Sequence, residues 1–110
     1  MSAYLERRRG DRIPTALNAH YSSGPEEGIG VLANISYSGA LIEDSSVRPS
    51  VGSRVRIYVF TEPVDPIAPA SPTELVGRVI RHSSSGFAIE YEDAEPEVRQ
   101  LVDDAATRQN

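Results

Sequence analysis

Apolar and polar side chains alternate with a period of two along much of the chain between residues 13 and 91. This alternation predicts half-buried β-strands, because successive side chains of a strand point to opposite faces. In one such run the apolar positions Ile29, Val31, Ala33 and Ile35 are expected to share a face. Strands are predicted over residues 13–21, 29–35, 40–42, 54–60, 75–82 and 87–91.

The pattern changes near the C-terminus, where Val98, Leu101, Val102 and Ala105 follow the i, i+3, i+4, i+7 spacing of one helix face. A helix is therefore predicted over about residues 95–108. Short strands followed by one helix with a single apolar stripe favour a mainly β fold, either a small antiparallel barrel or a sandwich. The helix would cover an open end of the barrel or a sheet face.

Three polar segments are predicted to lie outside the strands. Residues 1–12 form an Arg-rich arm that we expect to be flexible, and residues 13–110 form a single domain. Residues 22–28 are dense in turn formers and are predicted to be a loop. Residues 61–72 contain four of the eight prolines, which cannot donate the backbone hydrogen bonds of a regular sheet, so a second loop is predicted there.

The composition limits the possible functions. A chain of 110 residues is long enough for one domain with one core. The absence of cysteine excludes disulfides and thiolate metal sites, and the net charge of −5 opposes a general nucleic-acid surface. No apolar run approaches the roughly 20 residues that span a bilayer, and the N-terminus has no apolar signal region. No membrane insertion and a cytoplasmic location are therefore expected.

Two polar clusters are candidates for ligand binding. All eleven basic residues are arginine, and Arg7, Arg8, Arg9 and Arg12 lie within six positions. The planar guanidinium group binds phosphate through two parallel hydrogen bonds and stacks on nucleobases. The cluster is therefore either an anion-binding arm or a solvated basic tail.

The second cluster is the segment NISYSG at residues 34–39, which follows a predicted strand. Asn34 and Ser36 offer short donors and acceptors, and Gly39 permits a positive φ or a close approach of the backbone to a ligand. The segment also suits a β-turn whose polar side chains bond to their own backbone.

The spacing Arg8-x-x-x-Arg12 followed by Asn34-x-Ser36-x-x-Gly39 resembles the paired signature of the PilZ family. That signature is Arg-x-x-x-Arg and then Asp or Asn, x, Ser, x, x, Gly. All five signature positions are filled, and the resemblance extends from about residue 6 to residue 106. It implies the family's small six-stranded antiparallel β-barrel with a C-terminal α-helix.

The resemblance also implies a ligand, cyclic di-GMP, and no further cofactor. Arg8 and Arg12 would hold the phosphates and guanine faces from the arm. Asn34 and Ser36 would contact a guanine and a phosphate from the barrel, and Gly39 would leave room for the nucleotide.

Residues near the signature modify this expectation. Arg7 and Arg9 would add phosphate contacts or stacking. Arg7 directly precedes the first signature arginine, and in the family this position influences the number of nucleotides bound, which favours an intercalated pair. The acidic residues between Glu90 and Asp104 would weaken anion binding if their face approached the site.

Catalysis is not expected, because His20 and His82 lie in different predicted strands and no catalytic spacing is present. A receptor without an effector module would act through an unidentified effector protein, with motility and exopolysaccharide production the family's usual processes. The alternative is a nucleotide-independent PilZ-type adaptor of the type IV pilus or motility machinery. RNA or DNA binding by the arm is opposed by the net acidity.

Overall fold

The computed structural model describes residues 12–60, 72–92 and 96–109. The predicted Arg-rich arm, apart from Arg12, lies outside these ranges, as does the predicted Pro-rich loop, apart from Pro72.

The described residues form a six-stranded closed β-barrel and one C-terminal helix, as predicted. Neighbouring strands are antiparallel, and their order around the barrel is β1-β2-β3-β6-β5-β4. The strands are β1 (Ile13–Ser23), β2 (Glu26–Ile35), β3 (Gly39–Glu43), β4 (Arg54–Phe60), β5 (Thr73–His82) and β6 (Phe87–Tyr91), and the helix is α1 (Pro96–Gln109).

Every strand contributes buried apolar side chains to one core, and helix α1 adds its apolar stripe to the same cluster. The helix packs against β1 and β5. Burying one such large aliphatic or aromatic side chain stabilises a fold by about 1.5–3 kcal/mol. The largest fully buried side chains are Phe87, Leu32, Ile35, Ile42, Ile57, Leu75, Ile89, Val55, Val59, Val79, Val98 and Val102.

The connection between β1 and β2 is shorter than predicted. The loop expected over residues 22–28 is wrong, since β1 continues to Ser23 and β2 begins at Glu26. Only Gly24 and Pro25 connect the two strands. Gly24 has a φ of 60°, and a positive φ at the first central position suits a two-residue hairpin turn between twisted strands.

Strand β2 does not bury the face that its alternation predicts. Ile29 is 58% exposed, whereas Leu32 and Ile35, three positions apart, are both fully buried. The predicted common face of Ile29, Val31, Ala33 and Ile35 is therefore wrong. A strand without irregularity cannot point side chains at i and i+3 to the same face, so the register of β2 must shift between them.

Candidate functional site

A β-bulge in β2 puts Leu32 and Ile35 on the same face of the strand. Leu32 pairs with Ile42 of β3 and Asn34 pairs with the adjacent Leu41, so Ala33 is one extra residue in β2. A bulge of this kind re-aims the side chains that follow it. It lets Leu32 and Ile35 both enter the core, and it leaves Asn34 half-buried on the outer surface.

Arg12 and Asn34, which are 22 positions apart in sequence, meet at this surface. Ile13 and Pro14 of β1 pair with Ile35 and Asn34 of β2, which places Arg12 beside the end of β2. The Arg12 Nη1 donates a hydrogen bond of 2.9 Å to the Asn34 Oδ1, and the guanidinium remains exposed. One residue from each half of the predicted signature is thus present at one place.

The signature turn, Ser36–Gly39, connects β2 to β3. Ser36 is only 1% exposed, and its backbone N–H donates to the Gly39 carbonyl at 2.9 Å. Its Oγ accepts hydrogen bonds from the backbone N–H groups of Ser38 and Gly39, both at 3.2 Å. The Ser36 side chain therefore stabilises the turn, as expected for a β-turn whose polar side chains bond to their own backbone. The phosphate contact implied for Ser36 stays a prediction.

Gly39 is required by the packing of β3 against β6. A Cβ at this position would lie 2.2 Å from the carbonyl oxygen of Ile89, far inside van der Waals contact. The positive-φ glycines of the described chain are Gly24 and Gly52, so Gly39 does not use that conformation. Gly39 allows the backbone of β3 to approach the neighbouring strand β6 closely. The implied room for a nucleotide stays a prediction.

Tyr37 joins the signature turn to helix α1. The ring is partly buried against the core, and its hydroxyl donates a hydrogen bond to the Asp103 Oδ1. This contact brings an acidic residue of the helix to the turn, so part of the acidic segment does approach the candidate site. The sequence did not predict this pair, because the two residues are 66 positions apart and only the packing of the helix brings them together.

Tyr91 lies at the end of β6, beside the same turn. Its backbone N–H donates to the Ser38 carbonyl at 3.1 Å, and its side chain is buried. Burial raises the pKa of the Tyr91 hydroxyl well above its usual range, and the positive charge of Arg12 offsets part of that rise. The hydroxyl is therefore neutral near pH 7. Sequence reasoning missed this residue, which reads as an ordinary strand tyrosine.

Four of the seven predicted site residues are placed together: Arg12, Asn34, Ser36 and Gly39. Arg7, Arg8 and Arg9 lie outside the described residues, so the structure does not place them.

The two histidines have structural neighbours. His20 packs edge-on against Phe60, with ring centroids 4.9 Å apart, and His82 Nε2 lies 2.8 Å from the carbonyl oxygen of Pro49. Among the described residues, no three His, Asp or Glu side chains are grouped in a way that would hold a metal ion. No helix in the described part of the chain is long and apolar enough to cross a membrane.

The fold and this site define a small β-barrel domain with a cationic and amide-bearing rim beside a tight β2–β3 turn. The PilZ domain family matches residues 6–107, and the chain belongs to that family. PilZ domains are binding and adaptor domains of cyclic di-GMP signalling rather than enzymes. Comparison with curated proteins gave no match.

Two solved structures show the same fold. One is the Bacillus subtilis inhibitor of motility (MotI/DgrA), with a TM-score of 0.68 and 19% sequence identity over 89% of this chain. The present chain spans 49% of that protein. The other is the PilZ domain of CeSA from a cellulose-synthesizing bacterium, with a TM-score of 0.68 and 22% identity. That match covers 87% of this chain and 98% of the CeSA domain.

Proposed function

We propose that this domain is a non-enzymatic cyclic di-GMP receptor that orders its Arg-rich N-terminal segment over the nucleotide and signals to a protein partner. The observation that carries the proposal is the meeting of Arg12 and Asn34 at the rim beside the signature turn. A guanidinium suits a phosphate or a guanine face, and an amide suits the guanine edge. Arg7, Arg8 and Arg9 are adjacent in sequence and would supply the remaining cationic contacts.

The hydrogen bond between Arg12 and Asn34 describes the free state of this site. Both groups are at the surface, so a nucleotide can replace their mutual bond with bonds of its own. Each charge-assisted hydrogen bond contributes about 1.5–3 kcal/mol, while ordering each arm residue costs about 1–2 kcal/mol. Several arginine contacts are therefore needed, which supports a role for the whole cluster and a micromolar affinity that falls with salt.

The output of such a receptor is a change in the surface that it presents. Ordering of the segment before Ile13 would cover the rim and create a new surface for an effector protein. One structural neighbour is named as an inhibitor of motility and the other derives from a cellulose-synthesizing bacterium. Motility and exopolysaccharide production are therefore the processes in which we expect the partner to act.

A nucleotide-independent adaptor is the second candidate, and one observation favours it. Ser36 holds the signature turn through its own hydroxyl, and Gly39 has no space for a side chain beside Ile89. The fold therefore requires both residues whether or not a nucleotide binds. Their presence alone does not distinguish a receptor from an adaptor, so the decision depends on the arginines and Asn34.

Calorimetric titration with cyclic di-GMP tests the proposal, with cyclic di-AMP as the control ligand. Saturable binding is expected for the wild-type protein and should be lost in Arg8→Ala and in Arg12→Ala. The matched control is Arg56→Ala, which removes an exposed arginine of β4 that pairs with Ser22, at the end of β1 away from Arg12, and it should leave binding unchanged. The molar ratio reports whether one or two nucleotides bind. A wild-type protein that releases no heat and shows no thermal shift, even at low salt, would favour the adaptor.

A further inference from the structure

The Tyr91 hydroxyl is buried and has no hydrogen-bond partner among the described residues. Buried polar groups are almost always hydrogen-bonded, because an unsatisfied hydroxyl loses its bonds to water and gains nothing in return. A phenylalanine would fill the same space without that cost. The structure thus leaves this hydroxyl available to bond with a group that the described residues do not supply.

The position of Tyr91 indicates where that partner binds. The Tyr91 backbone bonds to Ser38 of the signature turn, and the preceding residue, Glu90, pairs with Gly39. The hydroxyl is also close enough to Arg12 for the guanidinium charge to act on it. Ser83 has the other unsatisfied buried hydroxyl of the described chain, but it lies in the β5–β6 hairpin turn, away from these residues.

We propose, on the basis of the nucleotide binding proposed above, that the Tyr91 hydroxyl is a further ligand-binding group that donates a hydrogen bond to a phosphate oxygen of bound cyclic di-GMP. A phosphate is the acceptor that fits, because the neighbouring Arg12 attracts an anion and the hydroxyl remains protonated near pH 7. Since the hydroxyl is buried in the free domain, its bond to the phosphate requires the side chains at this rim to rearrange when the nucleotide binds.

The test compares two buried tyrosine hydroxyls, one without a hydrogen-bond partner among the described residues and one that is hydrogen-bonded. Tyr21 is also buried, but its hydroxyl accepts a hydrogen bond from the Val47 backbone N–H at 3.2 Å and donates to the Val47 carbonyl. For Tyr91→Phe we expect an unchanged or higher melting temperature and about a tenfold weaker affinity for cyclic di-GMP, which corresponds to about 1.4 kcal/mol. For Tyr21→Phe we expect the reverse, a lower melting temperature and an unchanged affinity.

The outcomes separate this inference from the function on which it rests. Equal dissociation constants for Tyr91→Phe and the wild-type protein would overturn the role of Tyr91 and leave the receptor function standing. A lower melting temperature for Tyr91→Phe with unchanged affinity would assign the hydroxyl a structural role and overturn it as well. A wild-type protein that does not bind cyclic di-GMP would overturn both proposals.

Discussion

Replacement of Gly39 by alanine should destabilise the barrel rather than act on a ligand site alone. The added Cβ would lie 2.2 Å from the Ile89 carbonyl oxygen and 3.3 Å from its carbonyl carbon. These are backbone atoms of β6, and the register holds Gly39 opposite Glu90, so neither strand can move aside without breaking its ladder. Overpacking in a well-packed structure costs about 1–3 kcal/mol, and a backbone clash of this depth belongs at the upper end.

The expected loss is about 3 kcal/mol in the free energy of unfolding. At about 4 °C per kcal/mol for a domain of this size, the melting temperature should fall by about 12 °C. Urea denaturation and calorimetry of the free protein measure both quantities. Gly24→Ala is the matched control, because a Cβ there meets nothing within 4 Å and only the φ of 60° opposes it. We expect that variant to lose about 1 kcal/mol.

An unfolding free energy for Gly39→Ala within about 0.5 kcal/mol of the wild-type value, the range of ordinary surface substitutions, would refute the argument. Glycine would then be required at this position by the nucleotide, and the variant should lose affinity without losing stability.

Three further changes test other parts of the site. Ser36→Ala removes the acceptor for two backbone N–H groups and should lower the unfolding free energy by about 1–3 kcal/mol, as measured by urea denaturation. Tyr37→Phe removes the bond to Asp103 and should cost about 1 kcal/mol in the same assay, and no change would show that the helix does not depend on this contact. Because burial raises the pKa of Tyr91 in the folded state above its unfolded value near 10, the unfolded state deprotonates first. Stability should therefore fall as the pH rises above about 10, and the fall should be smaller in Tyr91→Phe; equal pH profiles for the two proteins would contradict this.

Most element boundaries follow from local pattern. The strands β4 and β6 and helix α1 lie where the sequence predicts them, because β4 alternates between exposed and buried side chains, β6 is a short apolar run and α1 keeps its apolar residues on one stripe. The predictions were wrong where a local irregularity intervened. The loop predicted over residues 22–28 is a two-residue turn at Gly24 and Pro25, and the bulge at Ala33 puts Ile29 and Ile35 on opposite faces.

The candidate site was predictable only in part. The spacing of Arg8 and Arg12, followed by Asn34, Ser36 and Gly39, indicated the family, which the match over residues 6–107 confirms. The β-turn role of Ser36 was one of two alternatives that the sequence left open. The spacing could not show that Gly39 is needed for packing against β6, since that depends on which strand lies beside β3.

By itself, the sequence determined the mainly β class, the C-terminal helix and the PilZ family, because these depend on periodicity and spacing along the chain. The tertiary structure alone decided which side chains meet, Arg12 with Asn34 and Tyr37 with Asp103. It also placed the Tyr91 hydroxyl beside the turn with no hydrogen-bond partner among the described residues. The physical reason is that strand pairing, register and one bulge set these contacts, and a register change of one residue moves a side chain to the opposite face of the sheet.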